Sequence, residues 1–359
     1  MDSKKGDSLK LKLPKPEPEY DKVIQRGFER FPDRYANYQR YKQNPRSANP
    51  DYLPIKMDVE NVSRCNLSCP MCLVSLTKTQ KRAEDISFED YKAILDEQIG
   101  IYEIKIQGVG EPFLHKDFIQ MVSYAAEKDI WTRSTTNATI LHQDENYKKI
   151  IDAGIGELQI SVDGTTKDSY EAIRKGARFD RMVENCKLIN EYCASLGVEK
   201  TRMWSLIQRD NIAELKEFPK FAKELGFNRL TLSLDVNGWG DEELTQKNKD
   251  KNVSLLLNEQ MVQEVLDVSA NLGIDTTFWD ISTKYSKQNV CPWPFERVYI
   301  SSDKKVVPCC MIANPDIFSF GEIKTFGDIW NGTEYTGFRE AHLNGNIPPV
   351  CKFCYENTK

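Results

Sequence analysis

The sequence predicts an α/β protein, a run of parallel strands wrapped by helices and followed by a small α+β module. Two observations predict it. Six β-rich runs alternate with helical patterns between Ile55 and Leu272, and such alternation implies a parallel sheet. Two groups of cysteines punctuate the chain, one directly after the first strand and one towards the C-terminus. Spacing alone does not separate a doubly wound sheet from a barrel.

The elements follow in order. Residues 1–20 are rich in Lys, Pro and Glu and predict a flexible N-terminal tail. Residues 21–54 carry Phe28, Phe31, Tyr35, Tyr38 and Tyr41 in a basic-rich segment. They predict a helical extension packed on the main domain, with a nucleic-acid stacking surface as the competing reading. The main domain spans residues 55–272. Its strands are predicted at Ile55–Val62, Ile101–Gln107, Ile130–Thr136, Glu157–Val162, Thr201–Ile207 and Arg229–Leu234, each bounded by Gly, Asn or Asp. Helices are predicted at Ser87–Ile99, Lys116–Lys128, Glu145–Ala153, Asp180–Leu196, Asn211–Leu225 and Leu255–Leu272. Ser87 reads as an N-cap and Gly226 as a C-terminal glycine. Residues 236–253 are polar and highly charged and read as a surface loop or lid. Residues 273–359 form the second module.

Composition narrows the class. Hydrophobic residues are 40% and charged residues 29% of the 359, the net charge is −5 and the pI is near 5.6. This acidic balance leaves no footprint for nucleic acid. No run approaches the length of a membrane span, and the N-terminus lacks the apolar core of a signal peptide. A cytoplasmic location follows, and in a reducing cytosol the ten cysteines are better read as metal ligands than as disulfides.

Cys65, Cys69 and Cys72 are spaced C-x3-C-x2-C. Three such thiolates can hold three irons of a [4Fe–4S] cube and leave the fourth open to a small molecule. A structural zinc site would want four ligands, often as two C-x2-C pairs. The chain's histidines, His115, His142 and His342, all lie elsewhere.

This spacing in this place resembles the radical S-adenosylmethionine (radical SAM) enzymes. The resemblance implies a partial (β/α)6 barrel, open at one side. It implies SAM chelated to the open iron and split to a 5′-deoxyadenosyl radical that takes a hydrogen atom from substrate. Met71 stands where many members have an aromatic residue whose backbone contacts adenine. After the second strand, Gly108, Val109, Gly110, Glu111 and Pro112 resemble the family's G-G-E-P element. That places Gly108, Gly110 and Glu111 on the SAM amino group, with Val109 in place of the usual second glycine. Thr135–Ala138 and Ser161–Gly164 look like the elements near the SAM carboxylate and ribose. They imply contacts from Thr136, Asn137, Ser161 and Asp163, with a plain strand-end turn as the alternative. Arg174 lies in a segment similar to the I-R-x-G of SPASM-type members and suits the SAM carboxylate; a surface salt bridge competes. Cys186 and Cys193, seven apart on a helix, read as core.

The remaining cysteines are Cys291, Cys309, Cys310, Cys351 and Cys354. They resemble the SPASM/twitch extension, which carries auxiliary iron–sulfur clusters. Five cysteines supply one set of four, so the resemblance implies a single auxiliary [4Fe–4S] cluster on Cys291, Cys309, Cys351 and Cys354. A four-cysteine zinc knuckle is the alternative. Arg297–Pro308 reads as a hairpin. Strand alternation sends Cys309 and Cys310 to opposite sides, which leaves Cys310 as packing or as a thiol hydrogen donor, the expected catalytic residue.

The family's known reactions imply a radical SAM dehydrogenase or epimerase. The expected substrate is of carbohydrate type: a sugar, aminoglycoside or nucleotide sugar. The segment before the first strand looks too short and polar for the peptide-binding domain of peptide-modifying members. A ribosomal-peptide maturase is the first alternative and a non-catalytic iron–sulfur protein the second. The expected partner is an external electron donor such as flavodoxin or ferredoxin, with no nucleic acid and no membrane. Residues 237–250 and the second module are expected to bind substrate. Trp239 and Trp293 are offered as sugar-stacking residues, with core packing as the alternative.

Overall fold

A computed structural model describes residues 11–76, 81–253, 256–280, 284–323 and 326–355. Its nine strands are β1 Lys56–Val59, β2 Glu103–Ile106, β3 Trp131–Thr136, β4 Glu157–Ser161, β5 Thr201–Leu206, β6 Arg229–Ser233, β7 Asp275–Trp279, β8 Arg297–Ile300 and β9 Val306–Val307. They form one sheet in the order β7-β6-β5-β4-β3-β2-β1-β8-β9. Every pair is parallel except the β8–β9 hairpin. All six expected strands are present. Their order never reverses, whereas a doubly wound sheet turns back at a switch point. The sheet is therefore a barrel wound one way and left open.

One expectation about domain limits needs correction. Strand β7, assigned by sequence to the C-terminal module, pairs residue for residue with β6. Strand β8 pairs with β1, from Lys56 opposite Arg297 to Val59 opposite Ile300. The second module thus extends the barrel's own sheet. An uncovered β1 edge would present a row of unpaired backbone groups, and β8 fills it.

The helices are α1 Tyr20–Arg30, α2 Pro32–Gln43, α3 Phe88–Glu97, α4 Phe118–Glu127, α5 Asn146–Asp152, α6 Lys167–Ile173, α7 Phe179–Ser195, α8 Glu217–Glu224, α9 Glu242–Asn248, α10 Glu259–Leu272, α11 Trp293–Glu296, α12 Phe326–Trp330 and α13 Thr333–Leu343. Ser87 Oγ accepts the Asp90 N–H at 3.0 Å, and Gly226 takes a left-handed φ of 85°, as the caps predict. Helix α9 lies in the segment read as a surface loop. Asp241 caps it, Leu244 is buried, and buried Asn248 donates to the Met71 carbonyl at 3.0 Å. That segment is therefore tied to the cysteine loop, and the Met71 carbonyl is already bonded. Cys186 and Cys193 are core residues.

Alternation along the strands builds two different surfaces. Met57, Val59, Ile104, Ile106, Leu158, Ile160, Leu230 and Leu232 are fully buried in the apolar core. The alternate positions Asp58, Glu103, Lys105, Arg133, Glu157, Gln159 and Arg202 line a cavity of about 590 Å³. A closed eight-stranded barrel fills its lumen with packed side chains; this lumen is polar and open.

The floor of the cavity, at the strands' N-terminal ends, is closed by residues that the sequence suggested were flexible. The Lys12 carbonyl accepts the Phe278 N–H at 2.7 Å. The Lys15 carbonyl accepts from Arg202 at 2.9 Å and from Arg229 at 2.6 Å. Glu17, 3% exposed, pairs with Arg229, and the Tyr20 hydroxyl donates to Glu103 at 2.8 Å. Buried guanidiniums carry more donors than Glu157 alone can satisfy, so the segment is bound by need. Phe28 and Tyr38 pack edge-on against Tyr102, which seats the α1–α2 extension on the barrel. Among the described residues no helix is long and apolar enough to cross a membrane.

Candidate active site

The cysteine loop follows β1 at the cavity's mouth. The Ser68 N–H bonds the Lys175 carbonyl at 2.9 Å, the Glu111 N–H bonds the Arg64 carbonyl at 2.9 Å, and Arg64 pairs with Asp85. These bonds hold Cys65, Cys69 and Cys72 on the wall of one cavity as free thiols. Burial pushes Cys65 up to about 12 and Cys72 up to about 11. Thiols so disfavoured as anions need a metal to ionise them, and coordination deprotonates a thiol outright. No group of three Cys, His, Asp or Glu among the described residues converges on a single ion. A cube offers a separate iron to each thiolate, so its ligands have no need to converge. Donor type, number and placement fit the cluster.

Glu111 is 2% exposed. Thr136 Oγ1 donates to its Oε1 at 2.7 Å and the Asn137 N–H to its Oε2 at 2.8 Å. Burial pushes its carboxyl up to about 7 against these bonds. The cavity wall includes Gly108, Glu111, Asn137, Ser161 and Arg174 but neither Thr136 nor Asp163. Thr136 spends its hydroxyl on Glu111. Asp163, expected near ribose, is fully buried and accepts from Arg174 Nε at 2.6 Å and from the Leu206 N–H at 2.8 Å. Both residues thus orient a neighbour that reaches the cavity, and Arg174 is no surface salt bridge.

The glycines of the second loop are needed by the chain itself. A Cβ on Gly110 would lie 2.4 Å from the carbonyl oxygens of Val62 and Arg64, and one on Gly108 would lie 2.1 Å from Glu60 Cγ. Gly110 therefore lets this loop rest on the cysteine loop. Overpacking of this kind costs about 1–3 kcal/mol. Gly110→Ala is expected to weaken SAM binding about tenfold or more by pushing the loops apart. Calorimetric titration of the reconstituted protein with SAM checks this.

In the second module, burial and then the neighbouring thiols push Cys309 and Cys351 well above the ordinary range. Cys291 rises to about 11 and Cys354 to about 12, burial again leading. Cys310, Cys351, Cys291 and Cys354 all oppose ionisation of Cys309, so the five thiols of this module lie within electrostatic reach of one another. Cys310 differs from the other four in its surroundings. It lines the main cavity, where burial raises it to about 11 and its nearest charges are Asp58, Lys105 and Arg297. It packs in a small apolar cluster with Trp239, Trp293 and Val109.

The sequence reading missed Lys105, Gln107, Arg133, Gln159 and Trp204, all on the cavity wall. A signal existed, because each occupies an alternate position in or beside a strand whose other positions are apolar or small. β-propensity marks these strands but does not show which way their polar half points.

Known proteins agree with this geometry. The model of the Radical SAM superfamily matches residues 62–244, half of the chain, and that of the SPASM iron-sulfur cluster-binding domain matches residues 291–355. The chain is 26% identical over 316 residues to a PqqA peptide cyclase of Gluconobacter oxydans, covering 84% of this chain and 82% of the relative. It is 24% identical over 323 residues to a tungsten-containing aldehyde ferredoxin oxidoreductase cofactor-modifying protein of Pyrococcus furiosus, covering 82% and 86%. Its fold is similar to that of Streptococcus suis SuiB, solved with S-adenosylmethionine and with the precursor peptide SuiA. The TM-score is 0.64 for both, at 18% and 16% identity; the matches cover 80% and 84% of this chain and 68% and 69% of SuiB. The two matched domains bring a SAM-binding [4Fe–4S] cluster, an auxiliary iron–sulfur cluster and SAM as cofactors.

These relatives overturn the expectation of a carbohydrate-type substrate. The match to a peptide cyclase extends over 84% of the chain. The length of the segment before β1, on which the expectation rested, is spent closing the cavity floor and says nothing of what enters the mouth. The polar cavity, the two cysteine modules and the matched models together place this chain in the radical SAM superfamily, with a C-terminal SPASM domain.

Proposed function

We propose that this enzyme modifies a peptide by radical chemistry. The observation that carries the reading is similarity to PqqA peptide cyclase along 84% of the chain; the shared fold with SuiB, solved on a precursor peptide, agrees with it. In this reading Cys65, Cys69 and Cys72 hold the SAM-binding cluster, and Cys291, Cys309, Cys351 and Cys354 the auxiliary one. When bound, the first cluster and SAM supply a 5′-deoxyadenosyl radical that takes a hydrogen atom from the peptide. Gly108, Glu111, Asn137, Ser161 and Arg174 surround SAM. Gly110 seats their loop, Thr136 orients Glu111, and Asp163 orients Arg174. The segment across the floor closes the lumen at that end, which limits side reactions of a radical held there.

The test is 5′-deoxyadenosine release by anaerobically reconstituted protein with reductant, SAM and a peptide panel. Stimulation by a peptide whose mass then changes supports the reading; a panel that leaves release at its peptide-free level sinks it.

Cys310 is the cavity-facing thiol outside the triplet, and we assign it to the reacting face of the substrate. Cys310→Ala is expected to keep full iron content and 5′-deoxyadenosine release while product falls about 10²-fold or more, the scale of losing one positioned proton or hydrogen carrier. Separate quantification of 5′-deoxyadenosine and modified peptide checks this.

A further inference from the structure

Strand β2 and the residue after it present Glu103, Lys105 and Gln107 to the cavity in succession. Glu103 is satisfied by Arg297 at 2.7 Å and by Tyr20 at 2.8 Å. Lys105 is different. Among the described residues its ammonium has neither a hydrogen bond nor an ion pair within 4.0 Å. Its register partner Asp58 gives its carboxylate to Arg297 at 2.7 Å. Burial pulls the Lys105 amine below its ordinary range, and Arg133 and Arg297 add to this while Asp58 and Cys310 oppose it. Gln107 Oε1 is likewise buried without a partner. A buried acceptor without a partner is unfavourable, and a half-buried ammonium that faces the cavity with no counter-charge bonded to it is open to an anion.

The same ligand would satisfy both groups. Positions two apart on a strand are roughly 6.8 Å apart, within the reach of one residue of an extended peptide. Lys105 can only donate, and charge-assisted donation to a carboxylate is the strongest bond open to it. Gln107 Oε1 can only accept, and a peptide backbone offers N–H groups.

We propose that Lys105 and Gln107 form a subsite for an acidic residue of the substrate, Lys105 on its side-chain carboxylate and Gln107 on a backbone N–H. This rests on the peptide reading above and narrows it. The subsite lies beside Cys310, whose thiol is within electrostatic reach of Lys105.

The test uses reconstituted protein with SAM and two capped heptapeptide libraries, identical except that the central residue is Glu in one and Gln in the other. Retained peptides are counted by mass spectrometry after affinity selection. Wild type is expected to retain the Glu library about tenfold over the Gln library, as a charged hydrogen bond predicts. Lys105→Met should bring that ratio to about one, and Lys105→Arg should restore part of it. Gln107→Leu should weaken retention of both libraries without changing their ratio. Iron content and SAM affinity report that the variants fold. Equal retention of both libraries by wild type, or an unchanged ratio in Lys105→Met, overturns the subsite and leaves the peptide reading standing. Retention of neither library by wild type overturns the peptide reading itself, and the subsite with it.

Discussion

Alanine at Cys69 is expected to abolish 5′-deoxyadenosine formation and to remove roughly half of the bound iron. Cys69 is 7% exposed and lies on the cavity wall between Cys65 and Cys72. Two thiolates cannot anchor a cube that three hold, and without it SAM has no iron to chelate. Cys351→Ala should also lose about half of the iron, but from the other module. It should keep SAM cleavage and lose product instead. Iron analysis, electron paramagnetic resonance and chromatography of 5′-deoxyadenosine separate the two outcomes. Normal 5′-deoxyadenosine release by Cys69→Ala would overturn the assignment of the triplet.

Arg297→Ala is expected to destabilise the protein by about 3–5 kcal/mol, the cost of leaving buried charges unpaired. Arg297 opens β8 and reaches into the lumen, bonding Asp58 at 2.7 Å and Glu103 at 2.7 Å. Its guanidinium also lies over the Trp293 ring, 4.9 Å from the centroid. Asp58 loses its ion-pair partner and Glu103 its shortest one at once, and lysine cannot supply the same fork. Arg297→Lys should therefore recover only part of the loss. The measurement is the urea midpoint of the cluster-loaded protein.

The pH dependence has a definite sign. Burial opposes ionisation of Glu103, but Arg297, Lys56 and Arg133 outweigh it and hold the carboxyl well below its ordinary value. A depressed pKa gives stability that is complete above the unfolded value of about 4.3 and is lost as pH falls below it. Arg297→Ala should be less sensitive than wild type across that acid limb.

Much of this molecule could be read without coordinates, for local reasons. The six barrel strands were visible because β-rich runs with turn residues at their ends need no distant partner to be recognised. The caps at Ser87 and Gly226 were visible because each satisfies backbone groups within four residues. Helix α6 was missed because Lys167–Ile173 is too short for a periodic signal. Helix α9 was missed because its charged surface hides two anchors, Leu244 and Asn248. The floor segment was misjudged because composition describes what a stretch can bury by itself. Here Lys15 and Glu17 are held by Arg202 and Arg229, which had to bond something.

Local spacing was enough to mark the cysteine triplet, the glutamate loop after β2 and a second cysteine module, because cluster ligands and strand-end loops are written in short motifs. Three-dimensional packing decided the rest. It separated Cys309 from Cys310, turned Asp163 towards Arg174, and joined the second module to the barrel through β1 and β8. It also left Lys105 and Gln107 unpaired in a shared cavity. Each of these depends on groups far apart in the chain, such as Arg297 and Asp58, 239 positions apart. A motif cannot show whether a buried charge has found its partner.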